Sequence, residues 1–125
     1  RLEQAAIAIT AMGVRVVFSQ RLVHPWLRRR LLRDGVLAVE RLSAQHAASV
    51  QALCGAHAFS AWPTLASRAA FRRGVGRLAA LYPCRDGSLR LVGVQGGASL
   101  ATMVICAPDR FAVAEIVAAA RDMLQ

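Results

Sequence analysis

Apolar residues at Leu2, Ala5, Ala6 and Ile9 recur at the three- and four-residue spacing of one helix face. They predict a helix from Leu2 to Met12, stopped by Gly13. Val14 to Phe18 is a short apolar run rich in β-branched residues and broken only by Arg15. That composition suits a strand covered on both faces. Ser19 to Val23 reads as a connection. Pro25 then opens a second helix, because a residue without an N–H is favoured at the first helical position. This helix runs to about Arg33 and Gly35 ends it. Leu27 and Leu31, four apart, mark its buried stripe, and Arg28, Arg29, Arg30 and Arg33 cover much of the rest.

Val36 to Val39 is the next predicted strand. Ser43 can cap a third helix from Ala44 to Cys54, with Ala47, Val50 and Leu53 facing inward and Gly55 as its stop. Ala58 to Trp62 reads as a strand ended by Pro63, and Ser67 to Arg73 as a short helix. Arg77 to Tyr82 and Ser88 to Val94 form a hairpin around Arg85-Asp86-Gly87. Gly93, Gly96 and Gly97 loosen the following loop. Ala101 to Cys106 is a further strand. Asp109 caps a last helix whose apolar stripe is Val113, Ile116, Val117, Ala120 and Leu124. This order predicts a mixed α/β domain whose early part resembles βαβ units.

The 125 residues suit one core. The chain opens at Arg1 inside a helical pattern and reads as a piece of a longer polypeptide. Its longest apolar candidate, Ala5 to Phe18, is interrupted by Thr10, Gly13 and Arg15, so no membrane span is expected. The formal charge is +9, and every basic side chain that contributes to it is arginine. Positive charge favours acidic partners without choosing among nucleic acid, anionic membrane and protein.

The chemistry-bearing residues are sparse. Cys54, Cys84 and Cys106 form no C-x-x-C pair and read as reduced, mostly buried thiols in a cytosolic protein. His24, His46 and His57 lack ligand spacing, and His46 reads as a surface residue. Gly74-Val75-Gly76 is only a fragment of a phosphate loop and reads as a turn with backbone clearance. No catalytic, metal or cofactor site is expected. Two arginine groups stand out, Arg28-Arg29-Arg30 with Arg33, and Arg68, Arg72, Arg73 and Arg77. Few aromatics are interleaved with them for base stacking, which disfavours an Arg-rich nucleic-acid module relative to a protein-contact face or a plain solvated face.

The segment from Val14 to Arg41 runs as a buried strand, a turn with Gln20, an amphipathic helix, Gly35 and a strand leading to a basic residue. This cadence resembles the apical, client-binding domain of group II chaperonins. Glu3 to Gly13 resembles the helix leading into that strand. Leu53-Cys54-Gly55-Ala56 resembles the family's helix-ending step. Leu89 to Val94 and Thr102 to Leu124 resemble its late hairpin strand and its returning strand and helix. Within the family, His24-Pro25 and Ile105 to Arg110 look most like the McKusick–Kaufman/Bardet–Biedl branch.

The resemblance implies an α/β apical-type mixed sheet with flanking helices, part of a three-domain subunit. Residues 1–98 would be apical, and 99–125 would return toward the intermediate domain. It implies client binding through the helix after His24, by His24, Trp26, Arg29, Arg30 and Arg33. The partners would be client proteins, other chaperonin-like subunits and subunits of a ciliary complex; the alternative is a subunit of the general cytosolic ring. The expected location is the cytoplasm, extending to the centrosome or basal body. ATP and Mg would belong to an equatorial domain outside this chain.

Overall fold

The computed structural model describes residues 2–64, 66–94 and 100–105, with Arg68 described by its backbone alone. Helix α1 spans Leu2–Ala11, strand β1 Val14–Ser19, helix α2 Pro25–Arg33 and strand β2 Leu37–Val39. Helix α3 (Ala44–Cys54), strand β3 (Ala58–Phe59) and helix α4 (Arg68–Arg72) follow. The hairpin is β4 (Gly76–Pro83) and β5 (Leu89–Gly93), and β6 covers Leu100–Ile105. The expected helix at 109–124, Cys106, Gly96 and Gly97 lie outside the described residues.

The strands form one mixed sheet in the order β2-β1-β6-β4-β5, with β3 also beside β6. The expected βαβ unit is present: β1 and β2 are parallel neighbours, Val16 opposite Leu37 and Phe18 opposite Val39, with α2 between them in the chain. β6 lies at the centre of the sheet. It pairs in parallel with β1 along Ala101 to Ile105. Its other edge is shared, antiparallel with β4 at Leu100 to Thr102 and parallel with β3 at Val104 and Ile105.

Each face of the sheet is covered. On one face, Ala5 and Ile9 of α1, Met12 just beyond it, and Leu27 and Leu31 of α2 pack on Val14, Val17, Met103 and Ile105. On the other, Val50 and Cys54 of α3 pack with Val16, Phe18, Leu78 and Val104. Val14 and Val17 are three residues apart and yet share a face. A bulge between Val14 and Val16 accounts for this, because the extra residue, Arg15, is turned out to solvent.

The structure corrects three expectations. Leu53 is exposed and Cys54 is buried in its stead. On α3 the inward stripe is Ala47, Val50 and Cys54, from which Leu53 lies roughly 90° away at 3.6 residues per turn. Leu53 instead lies over Gly93, its Cδ1 3.0 Å from the point a β-carbon there would occupy. The strand expected from Ala58 to Trp62 stops at Phe59, whose ring stacks on Phe71 at 4.3 Å, while Trp62 turns against the core. Cys84 is exposed, since it begins the hairpin turn beyond β4. His46 is exposed, as expected.

Candidate functional site

The outer face of α2 brings unburied apolar and cationic side chains together. Its position is set locally. Pro25 occupies the first turn, and His24 is the N-cap, its Nδ1 accepting the Trp26 N–H at 3.1 Å. At the other end Asp34 caps the helix through its own N–H to the Arg30 carbonyl, and Gly35 turns the chain with φ +81°, a conformation natural to glycine. Leu27 and Leu31 lie about 40° apart around the helix and are fully buried, so they fix which face looks out.

That geometry places Arg29 directly opposite the core. Leu32 and Pro25 fall on one flank, Trp26 and Arg33 on the other. Leu32 is 65% exposed and Trp26 38%. Leu22, in the preceding connection, is 62% exposed. Leu22, Val23, His24, Pro25, Arg28, Arg29, Leu32 and Glu40 line an open groove. Trp26, Arg29, Arg30 and Arg33 line a second, smaller depression. Arg29 is the ridge between the two.

The arginines are not equivalent. Arg28 pairs with Glu40 at 2.9 Å, and the other Glu40 oxygen accepts the Val23 N–H at 2.8 Å. Arg30 pairs with Asp34 at 3.0 Å and is mostly covered. Arg33 lies 3.9 Å from the same carboxylate but remains largely in solvent. Arg29 has no ion pair or hydrogen bond among the described residues. Arg29 therefore projects freely beside apolar surface, and Arg33, only loosely paired with Asp34, stands largely in solvent next to it.

Of the residues expected at the site, Trp26, Arg29, Arg30 and Arg33 are brought together in one depression, and His24 lies across the Arg29 ridge in the neighbouring groove. Sequence reasoning placed Arg28 in the basic cluster but not among the contact residues, and it missed Leu22, Leu32 and Glu40. The signal for Leu32 was present: it follows Leu31 by one residue, about 100° around the helix, and so cannot share its burial. Nothing in the sequence marked Glu40, which is seventeen residues from Val23 and tied to it only by the fold.

In the second arginine group, Arg72 is engaged by the fold. The Arg72 guanidinium donates to the Ala11 carbonyl at 3.2 Å, closing the end of α1. Gly74 and Gly76 serve close packing: a β-carbon on Gly76 would sit 2.5 Å from the Ala56 nitrogen and 2.6 Å from the Cys54 oxygen. Among the described residues no three His, Cys, Asp or Glu side chains gather as a metal site, and no helix is long and apolar enough to cross a membrane.

No family model and no curated protein matches the chain. The chain is similar in structure to an open-state monomer of a group II chaperonin from Methanococcoides burtonii, with a TM-score of 0.52 and 18% identity. The match covers 94% of this chain and 28% of that one. The fold is therefore that of a chaperonin domain fragment, and the chain spans little more than a quarter of its structural relative.

Proposed function

We propose that this chain, with its chaperonin-type fold, is the client-binding region of a chaperonin-like protein, and that α2 is the contact helix. One observation carries the reading: Leu22, Trp26 and Leu32 stand unburied around the unpaired Arg29 and the largely solvated Arg33, on a helix whose opposite face is locked into the core. Exposed apolar area beside Trp and Arg has the composition of dominant protein contacts. The free guanidinium charge selects acidic or amphipathic clients over generally hydrophobic ones. Nucleic acid is a poorer fit, because Arg28 and Arg30 are already engaged by carboxylates.

The finer reading follows the sequence resemblance. We place the protein in the McKusick–Kaufman/Bardet–Biedl branch, assisting assembly of a ciliary complex with other chaperonin-like subunits, in the cytoplasm and at the centrosome or basal body. Residues 1–98 form the apical part and 99–125 lead back toward the rest of the subunit. Nucleotide, if the full-length protein uses it, is held elsewhere.

The test is a binding titration of full-length protein with a chemically unfolded, acidic model protein. Replacing Leu22 and Leu32 by Ser and Arg29 by Glu is expected to weaken capture at least tenfold while the thermal melt stays within a few degrees. Unchanged capture by the folded triple variant would remove α2 from the account. Co-purification with ciliary-complex subunits, as opposed to the general cytosolic ring, decides the branch.

A further inference from the structure

We infer that His24 is a pH-sensitive cap on α2, firm while its imidazole is neutral and released on protonation; as regulation of partner binding, this rests on α2 being the contact helix. Pro25 has no N–H, so the first helical donor that needs a partner is the N–H of Trp26. That partner is the lone pair on His24 Nδ1, at 3.1 Å. Asn, Asp or Ser in this place would accept over a wide pH range. Histidine accepts only while that nitrogen is unprotonated, and it is the side chain whose charge ordinarily changes between about pH 5 and 8. A proton on Nδ1 turns the acceptor into a donor facing a donor. The Trp26 N–H then loses its side-chain acceptor and is left to solvent, and a positive charge is added at the positive end of the helix dipole.

The surroundings offer the added charge little compensation. Arg28 and Arg29 of α2 share the groove with His24. The carboxylate there is Glu40, and its two oxygens are already engaged by the Val23 N–H and Arg28. Helix α1, which packs against α2, carries one ionisable residue, the exposed Glu3, and β2 carries none. The residue whose amide is released, Trp26, also lines the depression with Arg29, Arg30 and Arg33. Release of the cap therefore loosens a contact side chain directly.

The experiment is amide hydrogen exchange at Trp26 in the full-length protein at pH 7.5 and 5.5, corrected for the intrinsic pH dependence of exchange. Binding of the unfolded acidic model protein is measured in parallel. Wild type is expected to lose protection at the lower pH, by up to about fivefold, the factor matching complete loss of an ordinary cap of about 1 kcal/mol. His24→Asn, which accepts at both pH values, should show no such loss, and His24→Ala should lack the protection at both. The readout is the ratio between the two pH values, so a change in absolute affinity does not obscure it. An equal pH response in wild type and His24→Asn, or wild-type protection in His24→Ala at pH 7.5, overturns the inference. Protection that switches in wild type alone, with capture indifferent to pH, supports the cap and refutes its regulation of partner binding.

Discussion

Leu31→Ala and Leu32→Ala change adjacent residues of one helix and should differ sharply in cost. Leu31 is fully buried in the cluster formed with Ile9, Val17, Leu27, Val36 and Met103. Truncation removes three carbons, worth about 2.4 kcal/mol in transfer alone at roughly 0.8 kcal/mol each. The cavity left between α1, α2 and the sheet raises the total to about 3–4 kcal/mol. Leu32 is mostly in solvent, and its truncation should cost within about 0.5 kcal/mol. Urea unfolding at 25 °C, with equal slopes for all proteins, measures both. The corresponding loss in melting temperature for Leu31→Ala is roughly 10 °C, at about 3 °C per kcal/mol for a domain of this size. A Leu31→Ala cost below about 1 kcal/mol, or a Leu32→Ala cost equal to it, would refute the assigned orientation of α2 and with it the contact face.

Four further outcomes follow from the same coordinates. Gly76→Ala places a β-carbon against the backbone of Cys54 and Ala56 and should cost about 1–3 kcal/mol by denaturant titration, since backbone cannot step aside as a flexible side chain can. Glu40→Ala frees both the Val23 N–H and Arg28 and should cost about 1.5–3 kcal/mol, with faster amide exchange at Val23. The side-chain and backbone hydrogen bonds from Ser88 hold the Asp86 carboxyl below the ordinary carboxylate range. Its small contribution to the hairpin is therefore present above that range and lost as pH falls through the lowered value, a response that Asp86→Asn should lack in an acid titration followed by NMR. Thiol labelling mapped by mass spectrometry should modify Cys84 within minutes while Cys54 stays protected in the native protein.

The βαβ unit was legible because several local signals agreed: Pro25 at the helix start, Leu27 and Leu31 four apart, Gly35 at its end, and flanking runs of β-branched residues. The mixed α/β class followed from that order of elements, while the mixed sheet with flanking helices was expected from the family resemblance. The central position of β6 was not legible, because periodicity says what a segment is and not which strand it joins. The bulge at Arg15 was visible only as an arginine in an apolar run. Leu53 misled because three-residue spacing from Val50 fits one flank of a helical stripe, and a four-residue step to Cys54 fits the centre better. Ala58 to Trp62 had strand composition, yet stacking of Phe59 on Phe71 and the turn of Trp62 toward the core shortened the strand. At the site, Trp26 and the arginines could be proposed from helical phase. The difference between engaged Arg28 and Arg30 and free Arg29 depends on Glu40 and Asp34, and on where the fold puts them.

The central claim is that clients are held on the outer face of α2, and placing a photoreactive amino acid at position 32 in the full-length protein tests it most directly. A matched protein carries the same group in place of Ala48, an exposed residue of α3 on the other side of the sheet. Both are irradiated with the unfolded acidic model protein, and the crosslinked product is quantified. The account predicts a strong adduct from position 32, abolished by Arg29→Glu, and little or none from position 48. Equal adducts from the two positions, or a dominant one from position 48, would contradict it.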